Sequence, residues 1–222
     1  MKKDNWTRRS LMTGMGAAVP AMALAPSAAR AQDGFVPTRH ALDAWLGEMT
    51  GQHRVFIDSA TTHGGMEAVL YANNLFRTQE PAYGLMPSDL AIVICFRHFS
   101  TVFAYNHDMW AKYGEQFTEL SGFDALDEAP SVNPVDTDEF ADQLPSYGLT
   151  VSAHIENGVE FAVCDAATSF FSRGIAGATG GEASEIYEEL KANAIPNSHF
   201  MSAGVVAMTR AQEYGYSLLY AG

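Results

Sequence analysis

The feature that most constrains the fold is a continuous apolar run at residues 90–96, which follows the chain-breaking Pro87-Ser88-Asp89. An apolar run without alternation is typical of a strand covered on both faces in a parallel sheet. A compact apolar strand is predicted over 54–58, and a segment with helical spacing follows over 66–79. Strand, helix and strand at this spacing form a β-α-β unit, which predicts an α/β protein.

The rest of the chain continues the alternation of helices and strands. Apolar spacing and Gly or Pro breaks predict further helices over 101–117, 149–157, 169–178, 182–194 and 203–214, strands over 159–164 and 216–220, and an extended piece at 199–201. This order predicts a three-layer α/β sandwich with a mostly parallel sheet of four or five strands. We expect one domain over 53–222, preceded by an N-terminal helical extension over 32–52.

The first 31 residues have the pattern of a twin-arginine signal peptide. Arg8 and Arg9 precede a weakly apolar stretch at 12–26, and Ala29-Arg30-Ala31 supplies a small-x-small cleavage site. A membrane anchor needs about 20 strongly apolar residues, and this stretch is shorter. We therefore expect export of the folded protein to the periplasm, with no membrane insertion after cleavage. A disordered basic N-terminus is the alternative.

The charge balance narrows the range of partners. Cleavage after residue 31 would remove five of the 13 basic and one of the 26 acidic residues, leaving a net charge of −17. Such a surface repels phosphate backbones and anionic lipids, which argues against nucleic-acid and membrane partners. The sequence also has no Gly-x-Gly-x-x-Gly after the first strand, no Walker loop and no Gly-x-Ser-x-Gly, so no nucleotide or hydrolytic chemistry is indicated.

The segment 118–143 interrupts the alternation. It contains eight acidic residues, no Lys or Arg, and the breaks Gly122, Pro130 and Pro134, so we expect an exposed insertion between two elements. Four of its acids are spaced closely enough to consider a calcium site, and a solvated acidic face is the alternative. These four are Asp136, Asp138, Glu139 and Asp142.

The two cysteines, Cys95 and Cys164, both lie in apolar strand-like runs. Export permits a disulfide between them, and a buried apolar role is open for each. Cys164 also stands where a strand gives way to a helix, at the carboxyl edge where open α/β sheets bind ligands. A thiol beside a helix N-terminus favours the thiolate form, which attacks sulfane sulfur or binds soft metals.

Several polar residues are candidates for supporting Cys164. Arg97 and His98 directly follow the buried strand 90–96, and Arg173 lies nine residues after Cys164. His63 follows the first strand, so His63, His98 and Cys164 could together bind copper or zinc, although their spacing matches no recognised metal motif and no cofactor is required. For each histidine a hydrogen-bonded structural role is the alternative.

An aromatic stripe follows the buried strand. Its residues could line an apolar pocket, or they could pack in the core or at a subunit interface. They are Phe103, Tyr105, Trp110 and Tyr113.

The segment Gly158–Cys164, followed by Arg173-Gly174-Ile175, resembles the cysteine segment of the DsrE/DsrF-like sulfur-relay family. The segment Met201–Ala207, running on to Gln212–Tyr216, resembles the same family. The resemblance implies a parallel α/β sandwich, assembly into homotrimers or hexamers, and, for some members, a cysteine that carries persulfide sulfur between partners. Cys164 is the matching position.

Three functions are therefore open from the sequence. In the first, Cys164 relays sulfane sulfur from a donor to an acceptor, each a protein or a small sulfur compound. In the second, a non-catalytic periplasmic binding or assembly protein uses the same pocket for a small ligand or a metal. In the third, the fold serves only as a structural oligomer without a small-molecule site.

Overall fold

The computed structural model describes residues 36–222, and the predicted signal peptide lies outside the described residues. Five strands form one sheet in the order β4-β3-β2-β1-β5, and every neighbouring pair is parallel. They are β1 (His53–Ser59), β2 (Leu90–Phe96), β3 (Glu160–Cys164), β4 (Ser198–Met201) and β5 (Ser217–Ala221). This confirms the predicted α/β class and the parallel sheet.

Seven α-helices and three short 3₁₀ turns accompany the sheet within residues 36–222. The helices are α1 (Trp45–Glu48), α2 (Thr62–Tyr83), α3 (His107–Ser121), α4 (Val151–Glu156), α5 (Asp165–Thr179), α6 (Ala183–Ala192) and α7 (Gly204–Glu213). The 3₁₀ turns are Ala41–Asp43, Pro87–Asp89 and His98–Ala104.

The apolar run that predicted the fold is the central strand β2. All seven of its residues are buried, and alternate side chains enter different cores. Ile92 and Ile94 pack in the larger core with α2 and α5, whereas Val93 and Cys95 pack in a smaller core against α7. Because helices cover both faces, the fold is the expected three-layer sandwich.

The described part of the N-terminal extension packs onto the α7 side of the sheet. Leu46 of α1 is fully buried in the smaller core. The guanidinium of Arg54 donates to the carbonyls of Leu46 at 3.1 Å and Met49 at 3.0 Å. The segment before β1 is therefore fixed to the sandwich by both apolar contacts and hydrogen bonds.

The helix predicted over 101–117 is wrong at its start, because the chain breaks between a 3₁₀ turn ending at Ala104 and α3 beginning at His107. Asn133 donates from Nδ2 to the carbonyls of Phe103 at 2.9 Å and Tyr105 at 2.8 Å, which a continuous helix would use internally. Asn106 then caps α3, with its side-chain oxygen accepting from the Met109 amide at 3.2 Å.

The aromatic stripe packs in the core, and Tyr113 also lines a surface pocket together with Lys112 and Glu189. Its four side chains, Phe103, Tyr105, Trp110 and Tyr113, are all buried in the larger core. The indole of Trp110 donates to the carbonyl of Val102 at 3.1 Å, so its polar atom is satisfied inside the core.

The expectation of an exposed acidic insertion needs correction. The helix α3 continues to Ser121, and the segment after it places Phe123, Val135 and Leu144 in the larger core. Apolar residues between the acids fix the segment, and its charges lie around them. Asp136 accepts from the amide and the hydroxyl of Ser152, both at 2.9 Å.

The calcium interpretation finds no support in the geometry. No three His, Cys, Asp or Glu side chains are grouped to hold a metal ion anywhere in residues 36–222.

Over the same residues, no helix is long and apolar enough to cross a bilayer.

His154 gives the larger core a pH-dependent element. Its ring is buried on α4, and Nε2 lies 2.8 Å from the carbonyl of Val69, so Nε2 carries the hydrogen. The buried Nδ1 atom has no hydrogen-bond partner among the described residues. Burial lowers the pKa of His154, and the hydrogen bond to Val69 opposes this only in part.

We expect the free energy of unfolding to fall by about 1 kcal/mol between pH 7.5 and 5.5 because of His154. The unfolded chain takes up a proton on His154 near pH 6.5 more readily than the folded chain, in which the pKa is lowered, so stability is lost as the pH falls through that range. Urea denaturation at both pH values measures this loss. His154→Gln should remove this pH-dependent loss of stability. The control is His63→Gln, at an exposed histidine, which should leave the loss unchanged. An equal pH effect in the two variants would contradict the assignment of the loss to His154.

Candidate functional site

The candidate site lies at the carboxyl edge of the three central strands. Phe96 at the end of β2 pairs with Val163 in β3, so the next residues, Arg97 and Cys164, lie at the same level of the sheet. Asp58 in β1 pairs with Cys95, two residues before Arg97. Because side chains alternate along a strand, the adjoining strand ends bring Asp58, Arg97 and Cys164 to one face of one edge.

Cys164 is the N-cap residue of α5. The helix begins at Asp165, four residues earlier than the sequence predicts, so the thiol is immediately beside the helix N-terminus. Its Sγ accepts a hydrogen bond from the amide of Ala167 at 3.4 Å. This amide and the partial positive charge of the helix N-terminus stabilise negative charge on the sulfur.

The backbone of Cys164 is fixed from the core side. The hydroxyl of Thr168 donates to the Cys164 carbonyl at 3.0 Å, and the hydroxyl of Tyr105 contacts that of Thr168 at 2.9 Å. All these groups are buried, so the backbone that carries the thiol is held in place relative to the sheet edge.

A cavity of about 540 Å³ opens beside the thiol. Cys164 is itself only 6% exposed, and the cavity is its route to solvent. The cavity is lined by two polar side chains and otherwise by mainly apolar groups. These residues come from the end of β2, the start of α5 and the start of α7. The lining consists of Arg97, His98, Phe99, Cys164, Ala166, Ala167, Phe170, Ala203, Gly204 and Val205.

Arg97 forms a two-point ion pair with Asp58. Its Nε lies 2.7 Å from Oδ1, and its Nη2 lies 2.8 Å from Oδ2. The hydrogen bond to Asp58 raises the pKa of Arg97 above its ordinary value, and Asp58 is only 2% exposed. The guanidinium is therefore permanently charged, and its charge is balanced within the site.

Sequence reasoning missed Asp58. The residue was included in the predicted strand 54–58, and a carboxylate near the end of a buried strand indicates a buried partner. The partner itself lies 39 positions away in the chain, so only the register of β1 and β2 identifies it.

Gly204 lies in the segment Met201–Ala207 that resembles the family, but the sequence does not indicate its contact with Arg97. A Cβ atom at this position would lie 2.2 Å from the Cβ of Arg97 and 2.7 Å from its Cδ. The first turn of α7 therefore rests directly on the Arg97 side chain. This contact closes one side of the cavity.

His98 reaches the cavity as predicted, but through an unusual backbone. Its φ of 55° is in the left-handed region, where histidine is among the more tolerated residues. Its ring contacts that of Phe99, with centroids 4.0 Å apart. The Phe99 amide donates to the carbonyl of Ala60 at 3.0 Å, which fixes the turn against the end of β1.

Two of the predicted supporting residues are not brought to the cavity. His63 lies in the first turn of α2, with its side chain 61% exposed and 3.6 Å from Glu67, so it lies on the surface of its own helix. Arg173 lies on the exposed side of α5 and donates to the hydroxyl of Ser169 at 2.6 Å, one turn back along the helix. Neither residue can support Cys164 in this arrangement.

The copper or zinc site considered from the sequence needs His63, His98 and Cys164 close together, and the structure does not bring them together. His63 is outside the cavity, and the groups described in residues 36–222 include no cluster of three metal-binding side chains. His199 also has a structural role, since its Nε2 contacts Glu160 at 2.7 Å and its ring stacks on Trp45 with centroids 3.9 Å apart.

The two cysteines are free thiols, so the disulfide considered from the sequence is absent between them. Cys95 pairs with Ala162, two residues before Cys164. The strand spacing and the rise per residue therefore put the two Cα atoms about 8 Å apart, beyond the range that a disulfide spans. Burial, with a contribution from Asp58, raises the pKa of Cys95 well above its ordinary value, which keeps this thiol neutral.

Comparison with protein-family models gives no match, and no curated protein matches the chain. One solved structure that it resembles is described as a protein of unknown function, MTH1491 from Methanobacterium thermoautotrophicum. The two are 13% identical, the similarity covers 76% of this chain and 98% of the other, and the TM-score is 0.37.

Proposed function

We propose that this chain is an exported DsrE/DsrF-like protein that carries sulfane sulfur as a persulfide on Cys164. The observation that supports this most directly is the position of Cys164, which caps α5 and borders a cavity open to solvent. The proposal includes a periplasmic location and assembly into homotrimers or hexamers, both of which follow from the sequence pattern and the family resemblance.

Loading requires no external oxidant. The Cys164 thiolate attacks the terminal sulfur of a polysulfide, a new S–S bond forms, and the electron pair of the broken S–S bond leaves with the shortened polysulfide. An acceptor thiolate then attacks the outer sulfur of the persulfide and regenerates the Cys164 thiolate. Each step is a thiol–sulfur exchange, so atoms, charge and electrons balance.

The surroundings of Cys164 suit this chemistry. The Ala167 amide donates to the sulfur at 3.4 Å, and the N-terminus of the 15-residue α5 adds a favourable potential for the negative charge. Ala166, Ala167 and Phe170 add apolar groups beside the sulfur, and the cavity that they line gives a sulfur donor access to it.

A second candidate is the binding of a small ligand without covalent chemistry. The observation that favours it is the mainly apolar lining, in which Asp58 already balances the charge of Arg97. A pocket of this size and polarity is suited to a small organic molecule. The two candidates differ in whether the sulfur of Cys164 is needed.

Exposure of the mature protein to polysulfide should add about 32 Da to its intact mass, and dithiothreitol should remove it. Cys164→Ser should abolish the gain completely, because the serine hydroxyl cannot accept sulfane sulfur. Cys95→Ala is the matched control and should load as the wild type does, since Cys95 is fully buried. Intact-mass spectrometry and circular dichroism of all three proteins measure loading and folding.

A correctly folded wild type that gains no sulfur would overturn the carrier proposal in favour of ligand binding. So would a gain of sulfur that persists in Cys164→Ser or disappears in Cys95→Ala.

A further inference from the structure

The cavity beside Cys164 is lined by both polar and apolar side chains. Arg97 and His98, which directly follow β2, are its charged or polar side chains. Phe170 of α5 and Val205 of α7 are among its apolar side chains. A volume of about 540 Å³ is sufficient for a small organic molecule with an apolar group and one polar end.

Arg97 leaves part of its guanidinium available to a ligand. Its Nε and Nη2 are both bonded to Asp58, whereas Nη1 has no hydrogen-bond partner among residues 36–222. The two hydrogens on Nη1 are enough to bind one oxygen or sulfur of an anionic group. Asp58 therefore orients Arg97, and its negative charge also weakens the net attraction of Arg97 for an anionic ligand.

The charge balance of the site disfavours a dianion. Arg97 and Asp58 together are neutral, so an entering dianion would lose its hydration in a mainly apolar cavity without gaining a net positive partner. The formal net charge, −13 for the full chain and −17 after the predicted cleavage, adds long-range repulsion. A monoanion with an apolar body loses less hydration and gains from burial of that body.

We propose that the sulfur donor is an organic monoanion that bears sulfane sulfur on an apolar body, as in an organic thiosulfonate or an organic persulfide. This inference rests on the proposed persulfide function. With a thiosulfonate, the Cys164 thiolate attacks the terminal sulfur and an S–S bond forms. The bond from that sulfur to the sulfonyl sulfur breaks, and its electron pair leaves with a sulfinate.

The probes are benzenethiosulfonate, methanethiosulfonate and inorganic thiosulfate. The first two have the same charge and the same reacting group, so their comparison isolates the apolar body. Loading of wild-type Cys164 is followed by intact mass, and each rate is divided by the rate of the same donor with free cysteine. We expect the normalised rate for benzenethiosulfonate to exceed that for methanethiosulfonate about tenfold, with thiosulfate the slowest.

Aspartate substitutions at two adjacent positions of α7 test whether charge within the cavity affects loading by an anionic donor. Val205 and Val206 are both exposed in the first turn of α7, but Val205 lines the cavity and Val206 does not. Val205→Asp should slow benzenethiosulfonate loading about fivefold, whereas Val206→Asp, with the same new charge one residue away, should change it less than about twofold.

The outcomes separate this inference from the proposed function. Equal normalised rates for the three donors, with polysulfide loading intact, would overturn the organic donor and leave the persulfide function standing. Equal slowing by the two aspartate variants would also overturn it, because the cavity would then have no part in selection. Failure of polysulfide and of all three donors to load the wild type would overturn the persulfide function itself.

Discussion

Asp58→Ala should lower the free energy of unfolding by about 3 kcal/mol. The substitution leaves Arg97 charged in a site where only 20% of its side chain is exposed, with no other acid bonded to it among the described residues. The loss is chiefly the cost of an uncompensated charge rather than the strength of the pair. Urea denaturation at pH 7.5 measures it.

The double variant Asp58→Ala/Arg97→Met tests that explanation. Removing both charges should restore at least about half of the lost stability, because no charge is then left without a partner. Lys112→Met, which breaks the more exposed ion pair with Glu189, is the comparison and should cost less than about 1 kcal/mol. A double variant no more stable than Asp58→Ala would show that the pair is not the source of the effect.

The ion pair also changes the role expected for Arg97. From the sequence, Arg97 is a candidate for supporting the Cys164 thiolate, because it follows a buried strand at the same edge. The structure places it at that edge, but Asp58 binds two of its nitrogens. The nearest group that stabilises charge on the sulfur is the Ala167 amide at the N-terminus of α5. Arg97 is therefore better placed to bind a ligand than to activate the thiol.

The parts of the fold that sequence predicted are those fixed by local pattern. The apolar run Leu90–Phe96 requires cover on both faces, and the alternation of strands and helices then requires a parallel sheet. The position of Cys164 followed from the same rule, because strand ends in a parallel sheet meet at one edge. These inferences needed only periodicity and the direction of the strands.

The parts that sequence did not predict depend on residues far apart in the chain. The break before α3 requires Asn133, about 30 positions away, to bond two carbonyls. The sequence predicts a start of α5 that is four residues too late, because cysteine is not among the usual N-cap residues. The α7 wall of the cavity depends on packing between α7 and the end of β2, which no local pattern encodes.

That packing gives the last prediction, Gly204→Ala, which should lower the free energy of unfolding by about 2 kcal/mol. The new methyl group would lie 2.2 Å from the Cβ of Arg97, close to the backbone, so either α7 or the end of β2 must move. The matched control is Gly177→Ala in α5, where an added Cβ meets nothing within 4 Å. It should raise stability by about 0.5–1 kcal/mol, because alanine favours the helix.

Thermal and urea denaturation of the two variants measure both changes. Opposite signs would show that the first turn of α7 is seated on Arg97, since helix propensity alone favours alanine at both positions. If Gly204→Ala instead stabilised the protein, α7 would be able to shift without cost. The contact between Gly204 and Arg97 would then not fix the part of the Cys164 cavity that α7 lines.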